Sequence, residues 1–374
     1  MFQQCTTACC SRRRMEEEEG PHGLYYRDDF NDMAWSCTIG TTDEHGIWLN
    51  RGDPAGTIMC FMVWILLGYS ALTITLLAGT GGIPASLSLL YDILCALALA
   101  AHVKTTLTDP GSVPPCAVPT EAQRRAEKLS MCSQCQTFKP PFSHHCRICN
   151  RCISKMDRKF SWSFMRCLFC LDGCLLLLMM SSFMMYTLTD SPRYVLSTIH
   201  IFIFHSDHCP WMNNCIGAGN MKHFFLFLIY TWSCSVFSLV LLGWNYFFCA
   251  SEDCAFTLVL TQLVRIMTVL SCGAFLFTSS MLMNVLYGLL TGIGTIDRLK
   301  KKATDTMEAS EEEPTPLADI FGIAPFWQWP LPTDPIFDDY DRVMGFSTSQ
   351  RLLREQILRE QDQQPTTTPM ILPV

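Results

Sequence analysis

Residues 205–215 read HSDHCPWMNNC, which places two histidines, two cysteines and an Asn pair in one short polar stretch. A cysteine beside an imidazole suits either a nucleophile or a metal ligand. A second such run lies upstream, CSQCQTFKPPFSHHCRICNRCISKMD at 132–157. Two ligands separated by two residues, as in Cys132 and Cys135, form a tight knuckle whose sulfurs converge on one ion. Zn²⁺ takes four N or S ligands in a tetrahedron at ~2.0–2.3 Å. Cys132, Cys135, His145 and Cys152 can close one such set. Cys146 and Cys149 then need a His and a Cys, which His208 and Cys215 can supply. Cys209 is left uncommitted next to a metal-bound imidazole, and His144 is left as a loop hydrogen-bonder. The plainer reading, reduced thiols in a basic loop, lacks a core in which those thiols would hide.

The elements that must hold these residues are membrane helices. The chain has 374 residues, 49% hydrophobic and 16% charged, against about a quarter charged in soluble proteins. No Asp, Glu, Lys or Arg occurs between Pro54 and Tyr91 or between Phe224 and Ala250, and Arg265 is the one charge between Phe256 and Leu290. A bilayer core of ~30 Å needs about 20 apolar residues. With AGTGGIP (78–84) as a breaker, the runs predict four spans at 57–78, 84–103, 224–249 and 266–290. The fold class expected is an all-α polytopic membrane protein. Lys and Arg crowd the loop after the second span and follow the fourth, while AGTGG and ASEDCA hold none. The positive-inside rule therefore predicts a cytosolic central loop and cytosolic termini. No cleavable leader is apparent in CTTACCSRRRMEEEE, so the first helix is expected to direct insertion. The expected division is an N-terminal tail (1–55), helices 1 and 2 (56–104), a cytosolic cysteine-rich zinc domain (105–223), helices 3 and 4 (224–290) and a C-terminal tail (291–374). A reducing loop argues against reading the 21 cysteines as a disulfide scaffold.

The run 132–157 followed by HCPWMNNCIGAGNMKHFF (208–225), with LTDPG at 107–111, resembles the DHHC protein S-acyltransferases, most closely the Golgi-type members. The resemblance spans about residues 55–300 and includes the four-helix layout. It implies a protein-cysteine palmitoyltransferase with two structural zinc sites: Cys132, Cys135, His145 and Cys152 in one, and Cys146, Cys149, His208 and Cys215 in the other. Cys209 would be the acyl-accepting nucleophile. Acyl-CoA, membrane-associated proteins bearing a target cysteine, and the lipid bilayer are the implied partners, with no nucleic acid. An endomembrane location such as the Golgi is implied too.

The departure from the family is large. Family members run KMD directly into HHCPW, whereas here residues 158–207 intervene between Asp157 and His208. Asp157 matches the motif's Asp, His208 and Cys209 match its second His and Cys, and its first His has no counterpart. Read locally, Asp207 stands where that His would be, so Asp157 and Asp207 are the candidate acid–base partners of Cys209. Residues 167–189 are apolar enough to span a bilayer, but a single extra span would separate HCPWMNNC from Cys146 and Cys149. The segment reads as intervening sequence or as an isoform's insertion. Two functions therefore stand side by side: a membrane S-acyltransferase, and a catalytically silent zinc-containing membrane adaptor or inactive isoform. A RING-type ligase fits the spacing after Cys152 poorly.

Elsewhere the signals are weaker. TIDR (295–298) is an altered form of the family's TTxE motif, and the Pro-rich acidic end is expected to be mostly tail, with membrane-surface pieces at Phe326, Trp327 and Trp329. Asp92 inside the second span is either functional or paired within the bundle. Arg265 is expected to snorkel from a helix end. Cys5, Cys9 and Cys10 read as exposed thiols, and the terminal ILPV as a short pattern of low specificity.

Overall fold

The computed structural model describes residues 36–39, 47–50, 53–113, 117–125, 129–155, 208–248, 257–291 and 314–348. Asp157, Asp207, the rest of 158–207, TIDR, the N-terminal cysteines and ILPV lie outside the described residues. A hairpin of β1 (Ser36–Ile39) and β2 (Ile47–Asn50) precedes the first long helix, α1 (Pro54–Gly79). Pro54 starts α1, where its missing N–H costs nothing. The helix ends in a turn at Thr80–Pro84, with Gly81 at φ +79°. At Gly82 a Cβ would meet Asn245 Oδ1 at 2.7 Å, so the turn packs directly on a neighbouring helix. Next come α2 (Ala85–Leu107), β3 (Ala117–Val118) and a short α3 (Glu121–Arg125).

The cysteine-rich unit follows as two small antiparallel ladders. One pairs β4 (Ser130–Met131) with β5 (Phe138–Lys139), and the other pairs β6 (His144–Cys146) with β7 (Arg151–Ile153). After a 3₁₀ turn at Pro210–Met212 the chain enters α4 (Met221–Phe248) and then α5 (Leu258–Thr291). Four helices, α1, α2, α4 and α5, are long and apolar enough to cross a membrane. Half of the apolar window of α4 is buried, against a third or less in the other three, so α4 is the central helix. It packs on both α2 and α5.

Two differences from the sequence expectation matter. First, α5 begins at Leu258, ahead of the expected 266, and Arg265 stands exposed within its third turn rather than at its end. A helix tolerates one long cation whose stem lies along the surface. Second, residues 314–348 are not a free tail. They carry α6 (Ala318–Phe321), a 3₁₀ turn at Phe326–Gln328, α7 (Tyr340–Met344) and β8 (Ser347–Thr348), and together form a strap across α4 and the cysteine-rich unit. Phe321 stacks on Trp329 at 5.0 Å and meets Phe225 of α4 edge-on. Tyr230 donates to the carbonyl of Pro330, and Thr315 N–H to that of Leu289 at 2.8 Å. At the far end β8 pairs with β3, while Met344 and Phe346 fill a core with Val113 and Phe138. Buried Asp319 takes Arg342 at 2.6 Å and Lys155 at 3.6 Å. Trp329 is thus packed inward, whereas Phe326 and Trp327 remain exposed. Asp92 is paired within the bundle: Thr75 Oγ1 donates to it at 3.0 Å.

Candidate metal centres and nucleophile

The ladder β6–β7 explains how two ligand sets share one short stretch. Successive side chains of a strand point to opposite faces. His145 and Cys146 are adjacent on β6, so His145 turns to one set and Cys146 to the other. Cys152, directly opposite His145, joins the first set. Its knuckle is held by Cys132 N–H to Thr137 O at 3.0 Å and by Cys135 N–H to Cys132 Sγ at 3.4 Å. Gln136 closes the turn at φ +57°. Cys135 Sγ lies 3.1 Å from His145 Nδ1 and 3.8 Å from Cys152 Sγ.

The second set is built the same way. Cys149 N–H donates to Cys146 Sγ at 3.4 Å, and Asn150 turns the chain at φ +53°. His208 Nδ1 is 3.4 Å from Cys149 Sγ and 3.6 Å from Cys215 Sγ, and the two sulfurs are 3.5 Å apart. In each set all four ligand atoms lie within 4.8 Å of one another. The structure thus brings together all eight residues, including the pair that comes from beyond residue 207. Sulfurs at 3.5–3.8 Å are far outside the ~2.05 Å of a disulfide. They match the ~3.8 Å edge of a tetrahedron with ~2.3 Å Zn–S bonds. The close thiols drive one another's ionisation apart. Hydrogen bonding with Cys152 and His145 holds Cys135 down at about 5, while Cys152 is pushed up. Hydrogen bonding with Cys149 and Cys215 holds Cys146 far below the usual thiol range, while Cys149 and Cys215 are pushed well above it. Thiolates are the form a metal needs. Both clusters fit zinc binding.

Cys209 follows His208 directly and is nearly buried. Its backbone exchanges hydrogen bonds with Asn214 across the 3₁₀ turn, at 3.1 and 3.4 Å, and Asn213 reverses the chain at φ +47°. It belongs to the buried cluster that also holds Val63 and Leu67 of α1, Ala98 of α2, Met212, and Phe224 of α4. Burial pushes its thiol up to about 11, partly offset by the N–H groups of Met212 and Trp211. A thiol in that state needs help to ionise.

Several residues to which the sequence reading gave no individual role hold this loop in place. Asn214 Nδ2 reaches the carbonyls of Thr105, Thr106 and Thr108 at 2.8–3.2 Å, capping the end of α2. Asn220 adds Thr105 O at 3.2 Å and Cys215 O at 2.9 Å. Asp109 of LTDPG accepts from the N–H of Gly111 and Ser112 and from the Ser112 hydroxyl at 2.7–2.9 Å, making a tight turn. Gly217 and Gly219 lie on that turn, where a Cβ would come within 2.3 Å of Pro110 O and 2.4 Å of Asp109 O. His102, fully buried, accepts from Trp64 Nε1 through Nδ1 and faces Trp211 O through Nε2, both at 2.9 Å. Beside the loop, Asp334 of the strap binds Lys104 at 2.7 Å and His223 at 3.1 Å. The His223 hydrogen bond and Lys104 hold its carboxyl well below the usual range. The Asn pair in WMNN was the visible signal for Asn214; for His102 and Asp334 there was none.

The family model of the DHHC palmitoyltransferases matches residues 194–302. Mouse palmitoyltransferase ZDHHC7 is 27% identical over 295 residues, covering 75% of this chain and 80% of the relative. The chain is thus similar to the DHHC palmitoyltransferases. Human palmitoyltransferase ZDHHC3 is 26% identical over 270 residues (68% and 74% of the two chains). Probable protein S-acyltransferase 15 of Arabidopsis thaliana is 27% identical over 160 residues (41% and 44%). The DHHC match begins inside residues 158–207 and takes in the half of the motif that carries His208, Cys209 and Cys215. Four helices long and apolar enough to cross a membrane, together with this similarity, make it a multi-pass membrane protein.

Proposed function

We propose that this chain is a protein-cysteine S-acyltransferase that carries the acyl group on Cys209. The observation that supports this most directly is the placement of Cys209. It adjoins His208 of one Cys/His set on one side and the apolar junction of α1, α2 and α4 on the other. The first is suited to fix a sulfur, the second to receive a long hydrocarbon chain. Zinc, when bound, supplies a fixed fold to each set, because four protein ligands leave no open position.

In the first step the Cys209 thiolate attacks the carbonyl carbon of a long-chain acyl-CoA. The carbon–sulfur bond to CoA breaks, and CoA leaves as a thiolate that takes up a proton. The thiolate of a cysteine on a membrane-associated protein then attacks the Cys209 thioester, and Cys209 is released. Removing the proton from Cys209 falls to Asp157, Asp207 or a group they orient, since the family's first His has no counterpart. The bilayer holds both co-substrates against the site. By charge bias the cysteine-rich unit and both termini face the cytosol, and an endomembrane location such as the Golgi follows the relatives.

One observation favours the second reading, a silent adaptor or inactive isoform. Among the described residues the imidazoles at this end of the bundle are committed. His102 is held at both ring nitrogens, His208 and His145 lie in the Cys/His sets, and His223 pairs with Asp334. A positioned general base contributes typically 10²–10⁴-fold. Incubating the purified chain with labelled palmitoyl-CoA, with Cys209→Ser as control, decides between the two. Hydroxylamine-sensitive label on Cys209 supports the enzyme. Its absence here, with its return when 158–207 is replaced by a single His, assigns the silent role to this chain. Absence in both chains overturns the transferase reading.

A further inference from the structure

His208 presents its ring nitrogens to two different environments. Nδ1 faces the sulfurs of Cys149 and Cys215 at 3.4 and 3.6 Å. Nε2 points the other way, to Asn50 Nδ2 at 3.0 Å and Asp53 Oδ2 at 3.8 Å. Both partners come from the segment ahead of the first membrane helix, far from the cysteine-rich unit in sequence.

Asp53 is the N-cap residue of α1, immediately before Pro54. An Asp there ordinarily accepts from the N–H of the second or third helical residue. Here its side chain makes no capping bond. The carboxylate instead lies across Gly56, where a Cβ would stand 2.6 Å from Asp53 Oδ2 and 2.8 Å from Asn213 Oδ1. Gly56 therefore clears the space that lets Asp53 turn toward His208. The first turn is secured by other bonds. Thr57 N–H and Oγ1 both reach Asp53 O at 3.0 Å, while Asn213 Nδ2 reaches Asn50 O at 3.3 Å and Thr57 Oγ1 at 3.2 Å. Trp48, fully buried, carries the Arg151 guanidinium 4.7 Å from its ring centre, which seats β2 on β7 beside Cys152.

We propose that Asn50 and Asp53 are positioning residues: they accept the Nε2 proton of His208 while Nδ1 ligates zinc, and so tie the start of α1 to the set that carries Cys209. The inference rests on reading Cys146, Cys149, His208 and Cys215 as a zinc site. A neutral imidazole bound through Nδ1 carries its proton on Nε2, which then needs an acceptor. The Asn50 amide, whose nitrogen stands 3.0 Å from Nε2, meets that proton with its oxygen after a half-turn about its last side-chain bond. The Asp53 carboxylate needs to close less than 1 Å from 3.8 Å to reach hydrogen-bond distance. Such outer partners fix the ring orientation and the basicity of the ligand nitrogen. Cys209 is the next residue, so whatever fixes the His208 ring also fixes the nucleophile's backbone.

The test uses the full chain in detergent, counting zinc by elemental analysis and following its release to a chelator. Cys149→Ser and Cys135→Ser mark which of the two equivalents belongs to which set. In Asp53→Ala/Asn50→Ala, one equivalent, that of the Cys149 set, is expected to leave about 10–100-fold faster, the usual cost of losing an outer partner. The Cys135 equivalent is expected to keep its rate. Gly56→Ala should produce the same selective loss by displacing the carboxylate, on a residue change that favours helix. Asn50→Asp in the Asp53→Ala background should restore retention by returning a carboxylate acceptor. Release at wild-type rates in both variants overturns the proposal. Joint loss of both equivalents with the helical signal, unrelieved by Asn50→Asp, also overturns it in favour of a merely structural hairpin. A wild-type chain holding fewer than two zinc ions fails earlier, at the metal reading itself.

Discussion

Replacing Asn214 by Leu should destabilise the chain by an amount that can be worked from its hydrogen bonds. Its side chain is fully buried, and Nδ2 lies 2.8–3.2 Å from three carbonyls at the end of α2. The last carbonyls of a helix have no intrahelical N–H of their own. Asn220 still serves Thr105 O at 3.2 Å, so the substitution strands the carbonyls of Thr106 and Thr108. Each buried unsatisfied group costs about 1–3 kcal/mol, so the two together cost about 2–4 kcal/mol once some relaxation is allowed. Leu keeps most of the volume, which separates this loss from a cavity effect. Asn214→Asp should be at least as severe, because it also removes the donors and sets an anion against the negative end of a helix. Thermal unfolding of the full chain in one detergent, wild type against both variants, reads the effect. A loss below about 0.5 kcal/mol for Asn214→Leu, the scatter of inconsequential surface changes, would refute the capping argument.

Asp334→Asn should lower stability modestly at neutral pH, because the exposed carboxylate holds Lys104 and His223. Its carboxyl is depressed in the folded chain, so the contribution is complete above the ordinary carboxylate pKa of ~3.9 and fades as pH falls through the folded value. The difference in melting temperature between wild type and variant should therefore narrow below about pH 4; a difference that grows on acidification below that pH contradicts the assigned sign. A glycosylation acceptor placed in residues 251–256 should be modified in microsomes and one in the C-terminal tail should not. The reverse pattern would show that residues 158–207 cross the membrane.

The four spans were legible because charge-free runs of that length have few other uses, but their ends were not. The start of α5 was hidden by Arg265, an apparent boundary that proves to be an exposed residue inside the helix. The Cys/His groups were legible because knuckle spacing is a local property, set by turns such as Gln136 and Asn150. The support of the second set was not, because it is tertiary. Asp53-Pro54 reads as an ordinary helix start, and nothing in the sequence says that the carboxylate turns away from its own helix. The strap was misread from composition. Its Pro-rich, acidic character suggests a tail, while its docking depends on a few separated side chains, Phe321, Trp329, Asp334 and Phe346, and on the two-residue pairing of β8 with β3.

These tethers also bear on how the second set assembles across residues 158–207. The loop from His208 to Asn220 is fastened to α1 through Asn213 and Thr57, to α2 through Asn214 and Asn220, and to the Asp109 turn through Gly217 and Gly219. It meets the cysteine-rich unit through Cys149 and Ala218, whose N–H reaches Ser154 O at 3.1 Å. None of these contacts runs through the intervening stretch. Even as a wholly flexible connection, about 50 residues would add roughly 2–4 kcal/mol of closure entropy, because that cost grows only with the logarithm of length. Buried hydrogen bonds contribute about 0.5–1.5 kcal/mol each net, so the several that fasten this loop together offset that amount. The long connection therefore leaves the position of Cys209 largely untouched. What it changes is the sequence beside the thiol, where Ser206 and Asp207 rather than an Asp-His pair precede His208 and Cys209.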